Sequence, residues 1–223
     1  MRPVLFFDLD GTLSDTHGLA RATWLEVLRP HGIDVDFRFY KDNVRGRDKD
    51  DVVARLLPDL DADARRHLCE IEANSYRERT RRAAPLPGLT RFMVAGGELG
   101  WRMALVTNAP EADARASLAP LGLTDAFETM TFADEASALK PDPELYRLTL
   151  EKLNVNPEHG VAFEDSPRGV TAGVDAGLTV IGLVTTHHPA ELRDAGAALV
   201  VGDFADPVLY DVLDDLGTLE RCP

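Results

Sequence analysis

The sequence predicts an α/β protein: a doubly wound parallel sheet of Rossmann-like type, with an α-helical segment inserted after the first strand. Three observations point there. Short apolar runs at Val4–Phe7, Met103–Val106, Val161–Phe163, Thr179–Val184 and Ala198–Val201 read as buried strands. From residue 89 onward, helix-spaced stretches alternate with these runs, which is the rhythm of βαβ units. Between the first strand and that alternation lies a block, 15–85, with helical spacing and no strand pattern.

Val4-Leu5-Phe6-Phe7 runs without interruption into Asp8, Leu9, Asp10 and a Gly11-Thr12 turn. Ser14, Asp15 and Thr16 offer helix-capping side chains. Leu19, Ala22, Trp24, Leu25, Val27 and Leu28 then follow a helical spacing, closed by Pro30 and His31-Gly32. Asp50–Leu57 predicts a second helix, stopped before Pro58. Residues 61–82 predict a third, with a break allowed along its length and with Leu68, Ile71 and Tyr76 facing inward. Ala83 to Gly88 is a breaker cluster that ends the block. The chain is therefore expected to divide into 1–14 with 86–223, and a helical 15–85. Beyond residue 88, Leu89–Leu99, Ala112–Leu121, Glu144–Leu153 and Arg168–Ala176 read as helices, Thr129–Phe132 as a short strand, and a further helix starts at Ala190.

With 223 residues, 44% of them apolar and 28% charged, the composition is that of a soluble globular protein. Met1 to Phe7 is too short for a signal peptide, and no apolar run reaches the ~20 residues of a membrane span. The cysteines, Cys69 and Cys222, suit a reducing cytoplasm rather than a disulfide framework. A net charge of −14 argues against nucleic-acid or anionic-membrane surfaces. Residues 15–85 hold 14 basic and 14 acidic side chains, so the remainder, with 10 basic and 24 acidic, carries the whole excess. An acidic body of this kind repels an anionic ligand unless a metal and local cations reverse the field.

Three strands end in polar signatures: Asp8-x-Asp10, Thr107-Asn108 and Glu164-Asp165, with Lys140 just before Pro141-Asp142-Pro143. In a doubly wound sheet such ends converge on one edge. Four carboxylates crowded there cannot all stay ionised without a cation. An all-oxygen set suits Mg²⁺, which takes one or two carboxylates and a substrate phosphate. Taken singly, Asp-x-Asp-Gly also reads as a surface turn, Thr107-Asn108 as a helix cap, and Lys140 as a solvated lysine. An EF-hand is excluded, because Thr12 to Thr16 lack the further ligands.

The four motifs, DLDGT, VTN, KPDP and FEDSPRG, occur in order along the chain. With a helical block after the first, the sequence resembles the haloacid dehalogenase superfamily, in the branch of β-phosphoglucomutase and phosphoglycolate phosphatase. The resemblance implies a core, 1–14 and 86–223, carrying a helical cap, 15–85. It implies that Asp8 is the nucleophile, forming an aspartyl-phosphate, and that Asp10 protonates the leaving oxygen and then activates water. Thr107 and Lys140, with the backbone amides of Leu9 and Asn108, would hold phosphoryl oxygens. Asp8, Asp10 (through its carbonyl) and Asp165 would bind Mg²⁺, with Glu164 behind them. The implied activity is hydrolysis of a small phosphorylated metabolite, a sugar phosphate or phosphoglycolate, by a cytoplasmic monomer or homodimer.

In related enzymes a specificity loop precedes the second cap helix, where this chain has Arg45-Gly46-Arg47-Asp48-Lys49. Arg45, Gly46, Arg47 and Lys49 are therefore candidates for substrate selection, against the alternative of a solvated basic turn. Cap opening and closing is expected to hinge at Ser14–Thr16 and Pro85–Gly88. Two other readings stand beside the phosphatase. A phosphosugar mutase would be expected to carry a histidine early in the cap, where this chain has Ala20 and, nearby, His17. The other is a non-catalytic protein, either a phospho-acceptor modified at Asp8 by a partner or a scaffold, and the complete motif set disfavours the scaffold. Nothing marks Lys41 or Lys49 as the Schiff-base lysine of a phosphonatase, and a true dehalogenase has no use for the metal carboxylates. The lysine motif reads Ala138-Leu139-Lys140, without the glycine that often precedes it.

Overall fold

β1 (Val4–Phe7) is buried along its whole length and forms the middle of the sheet. It pairs in parallel with β2 (Arg102–Val106) on one side and β4 (Gly160–Glu164) on the other, placing Phe6 between Ala104 and Ala162. β3 (Thr129–Thr131) flanks β2, while β5 (Thr179–Leu183) and β6 (Leu199–Val201) continue beyond β4. The structure, a computed structural model, describes residues 2–45, 47 and 49–218. Its sheet, in the order β3-β2-β1-β4-β5-β6, is parallel throughout. The chain winds outward from β1 to β3, then returns to place β4 beside β1. The crevice at the C-terminal ends of β1, β2 and β4 is thus the topological switch point, where open α/β sheets bind ligands.

Both faces of the sheet are covered, which is why its strands read as continuous apolar runs. On one face Val4, Phe6, Ala162 and Val180 pack with Leu145, Tyr146 and Leu150 of α7 (Glu144–Leu153) and Val170 and Ala172 of α8 (Pro167–Asp175). On the other an aromatic cluster forms around Phe163, which stacks on Phe7 at 5.1 Å and meets Phe92 at 5.3 Å and Phe204 at 5.1 Å. Phe92 belongs to α5 (Leu89–Glu98), and Tyr210 of α10 (Val208–Thr218) packs edge-on against it. α6 (Glu111–Leu118) and α9 (Pro189–Asp194) complete this unit, which comprises the residues up to Asp15 and those from Ala84 onward.

Residues 16–83 form a second compact unit, whose regular elements among the described residues are all helices. α1 (Thr16–Leu28) packs on α4 (Ala62–Thr80), and α2 (Phe37–Asn43) and α3 (Lys49–Leu56) close a core of Trp24, Leu28, Val35, Tyr40, Val52 and Val53. The third predicted helix runs without a break. Leu68 packs inward as expected, but Ile71, also expected inward, is 41% exposed; Cys69 packs on the core beside Leu68, and Glu72 is buried. The sequence pattern also missed α2. That helix is two turns long and buries only Tyr40, so it leaves no apolar period; the Asp36 side chain starts it by accepting from Phe39 N at 2.7 Å. α10 was missed too, although Leu209 and Leu213, four apart, are both buried. Among the described residues no helix is long and apolar enough to cross a membrane.

Candidate active site

Asp8 is the first residue beyond β1, and its amide still donates to Phe163 O of β4 at 3.1 Å. The ladder thereby fixes where its carboxylate leaves the sheet. The chain then turns through Leu9, whose carbonyl accepts from Thr12 N and Leu13 N at 3.3 and 2.9 Å. Gly11 makes that turn possible. Its φ is +81°, and a methyl group there would lie 2.4 Å from Asp165 Oδ2, so neither conformation nor space admits a side chain. Asp10, on the same turn, is half-buried and bridges to Ser14.

Lys140 is buried, and its ammonium donates in three directions: to Asp8 Oδ1 at 2.7 Å, to Glu164 Oε1 at 2.7 Å and to Val106 O at 2.6 Å. An ammonium has three hydrogens, so all are engaged. The lysine backbone is held as tightly. Asn108 exchanges side-chain bonds with it, accepting from Lys140 N at 2.9 Å and donating to its carbonyl at 3.3 Å. Arg168 donates to the same carbonyl through Nε and a terminal nitrogen, at 3.1 and 2.7 Å. The Lys140–Pro141 peptide is cis. Thr107 is buried at the end of β2 and accepts from Ala109 N at 3.0 Å, a bond that uses a lone pair and not its hydroxyl hydrogen.

Glu164 closes β4, and Asp165 follows it; both are buried. Burial pushes the Glu164 carboxyl up, against the pull of Lys140, to about 7. Burial works against the Lys140 charge too, but Asp8 and Glu164 together outweigh it and raise that pKa. Asp8, Glu164 and Asp165 each offer an oxygen, and the three lie within 4.8 Å of one another. Three buried carboxylates served by one ammonium are short of positive charge, and their oxygen-only donor set fits a hard divalent cation.

The structure therefore brings Asp8, Lys140, Glu164 and Asp165 into one buried cluster, with Leu9, Asp10, Thr107 and Asn108 on the loops that bound it. The candidates in the helical unit differ. Lys49 neutralises buried Glu72 at 2.7 Å, Arg47 donates to Asp42 O at 3.4 Å, Arg45 is half-buried, and Gly46 lies outside the described residues.

Several contributors escaped the sequence reading. Thr185 and Thr186 follow β5, where the Thr185 hydroxyl donates to Gly11 O at 2.6 Å. The Thr186 hydroxyl lies 2.9 Å from Asp165 O and also against Asp165 Oδ2, while His187 Nδ1 is 2.9 Å from the same carbonyl. A strand ending in paired hydroxyls was the available signal, of the same kind as Thr107-Asn108. Gly169 was a further omission: a methyl group there would meet Glu164 Oε2 at 1.8 Å. Tyr146 gave no signal beyond its helical spacing.

Comparison with known proteins agrees with this architecture. A family model described as haloacid dehalogenase-like hydrolase matches residues 3–177. Validoxylamine A 7'-phosphate phosphatase of Streptomyces hygroscopicus subsp. limoneus is 30% identical over 89% of this chain and 93% of its own. A phosphorylated carbohydrates phosphatase of Thermotoga maritima is 32% identical over 94% of this chain and 99% of its own. Among solved structures, a putative beta-phosphoglucomutase from Thermotoga maritima superposes with a TM-score of 0.82 at 28% identity, covering 96% of this chain and 99% of that one. On the family match and on relatives aligned over nearly its whole length, this chain belongs to the haloacid dehalogenase-like hydrolases.

Proposed function

We propose that this chain, a phosphoric monoester hydrolase, releases phosphate from small phosphorylated carbohydrates through an aspartyl-phosphate on Asp8, with Mg²⁺ as cofactor. The observation that carries the reading is the buried contact of Asp8 with Lys140, inside a cluster that also holds Glu164 and Asp165. A carboxylate at a strand end, deprived of water and held by an ammonium, is poised to attack and not merely to solvate. The relative named as a phosphorylated carbohydrates phosphatase supports the substrate class, and the one named as a validoxylamine A 7'-phosphate phosphatase supports a small phosphorylated compound.

In the first step an Asp8 oxygen bonds to phosphorus, the ester P–O bond breaks, and the leaving alkoxide takes a proton from Asp10. In the second, water attacks the same phosphorus, gives its proton to Asp10, and frees phosphate and Asp8. Lys140, positioned at Asp8, balances the charge that spreads over the phosphoryl oxygens, and Thr107 and the Leu9 and Asn108 amides bind them. Asp8, the Asp10 carbonyl and Asp165 would hold Mg²⁺, which would supply the remaining positive charge. We read the 16–83 unit as the cap that selects substrate. Arg45, Gly46, Arg47 and Lys49 are its candidate specificity residues, and Lys49 also pairs with Glu72.

The test is phosphate release from a panel of sugar phosphates, with Mg²⁺ and with EDTA. Release that depends on the metal and disappears in Asp8→Asn, with the fold intact by circular dichroism, is expected. Full activity in Asp8→Asn removes the nucleophile. Isomerisation of a hexose phosphate without net phosphate release favours a mutase, the activity for which the superposed Thermotoga protein is named.

A further inference from the structure

We propose that Tyr146 is a positioning residue for Lys140, a role that rests on the phosphoryl-transfer reading above. Tyr146 stands on the first turns of α7, six residues beyond the lysine, and is completely buried. It touches the ammonium system twice. Its hydroxyl donates to Glu164 Oε1 at 2.6 Å, the same oxygen that accepts from Lys140 Nζ at 2.7 Å. Its ring lies beneath the ammonium, with Nζ 5.0 Å from the centroid. Phe6 meets that ring edge-on at 6.3 Å and packs with it in the core on this face of the sheet.

These contacts divide the work. The ring face attracts the cation and blocks its retreat into the core, a cation–π contact made stronger by exclusion of water. The hydroxyl fixes the Glu164 carboxylate with Oε1 toward the lysine, and it shares that oxygen's acceptor capacity. To hold a phosphoryl oxygen, Lys140 must release one of its three acceptors, since all its hydrogens are engaged. Glu164 is the acceptor whose negative charge the tyrosine hydroxyl already shares, so it is the partner that the lysine leaves most readily. Tyr146 would then hold Glu164 in place while the lysine turns to the substrate.

The experiment compares wild type, Tyr146→Phe and Thr149→Val in kcat, KM, melting midpoint and inhibition by tungstate, a phosphate mimic. Thr149 lies on the same helix and also uses a buried hydroxyl, donating to Leu145 O at 2.7 Å and meeting Thr131 Oγ1 at 2.8 Å, away from the ammonium. Tyr146→Phe keeps the ring and is expected to lower kcat about 10-fold, in the range for losing one hydrogen bond to a charged group, with weaker tungstate inhibition and little change in KM. Thr149→Val is expected to lower the melting midpoint and leave kcat alone. A Tyr146→Phe enzyme with wild-type kcat and tungstate inhibition overturns the proposal, as does an equal loss of kcat in Thr149→Val. If Tyr146→Phe does not fold, a crystal structure of wild type with tungstate decides. Lys140 on the anion with Tyr146 still bonded to Glu164 supports the role, and a tyrosine turned away from Glu164 refutes it. A wild type that hydrolyses no phosphate ester brings down both readings; an active wild type matched by Tyr146→Phe brings down only this one.

Discussion

Gly169→Ala offers the sharpest probe of the site, because a single methyl group acts on a buried residue whose movement its partners must share. The new Cβ would lie 1.8 Å from Glu164 Oε2 and 2.1 Å from its Cδ, whereas ordinary contact begins at 3.4 Å. The carboxylate must therefore retreat by about 1.6 Å, the difference between 3.4 and 1.8 Å. A flexible side chain would usually do so cheaply. Glu164 is buried, however, and its other oxygen is held by Lys140 and Tyr146, so the shift is passed to the ammonium beside Asp8. A misplacement of about 1 Å at a reacting group costs about 10²-fold in rate. Stability responds less. Overpacking costs about 1–3 kcal/mol, and replacing a helical glycine by alanine returns about 1. The net loss of about 0–2 kcal/mol lowers the melting midpoint by at most about 8 °C in a protein of this size. Steady-state kinetics on the best substrate, with thermal melts, should show kcat down about 100-fold in a folded enzyme. Gly97→Ala on α5 is the control, since nothing lies within 4 Å of its added methyl group. It should retain full turnover and gain up to about 1 kcal/mol. Turnover in Gly169→Ala within threefold of wild type would refute the link from Glu164 through Lys140 to Asp8.

Two further outcomes are expected. Thr186→Val removes the hydroxyl set against the Asp165 carboxylate, and should weaken Mg²⁺ binding about 10-fold, in line with other residues that orient metal ligands; calorimetric titration measures this without substrate, and an unchanged affinity would show that Asp165 needs no such support. Glu128→Gln breaks the bidentate pair with Arg102, at 2.7 and 2.8 Å. The guanidinium holds the Glu128 carboxyl below its ordinary range, so the pair's contribution is present at neutral pH and is lost as pH falls through that lowered value. Because Glu128 is half-exposed, the loss should be under about 1 kcal/mol at pH 7 and should vanish in thermal melts at strongly acid pH; a difference that persists there would contradict the pairing.

Whatever depends on local order was legible in the chain alone. Each strand buried on both faces had to be a continuous apolar run, so β1, β2, β4 and β5 could be read within a residue or two, and the polar groups at three of their ends stood out against those runs. Parallel winding then required Asp8, Thr107 and Glu164-Asp165 to share an edge. Helix α2 was invisible because a two-turn helix burying one tyrosine carries no period, and the inward face of α4 was misassigned at Ile71 because helical spacing fixes a stripe only to within a neighbouring residue. The lysine's surroundings came from tertiary packing and from nothing else. Tyr146, Gly169, Arg168 and Thr186 act through partners distant in sequence or, for Gly169, across the turn from β4 into α8, brought together by sheet register and helix docking. Contacts of that kind leave no trace in local spacing. Local pattern therefore brought the candidate groups to one sheet edge, and long-range packing set their charge and orientation.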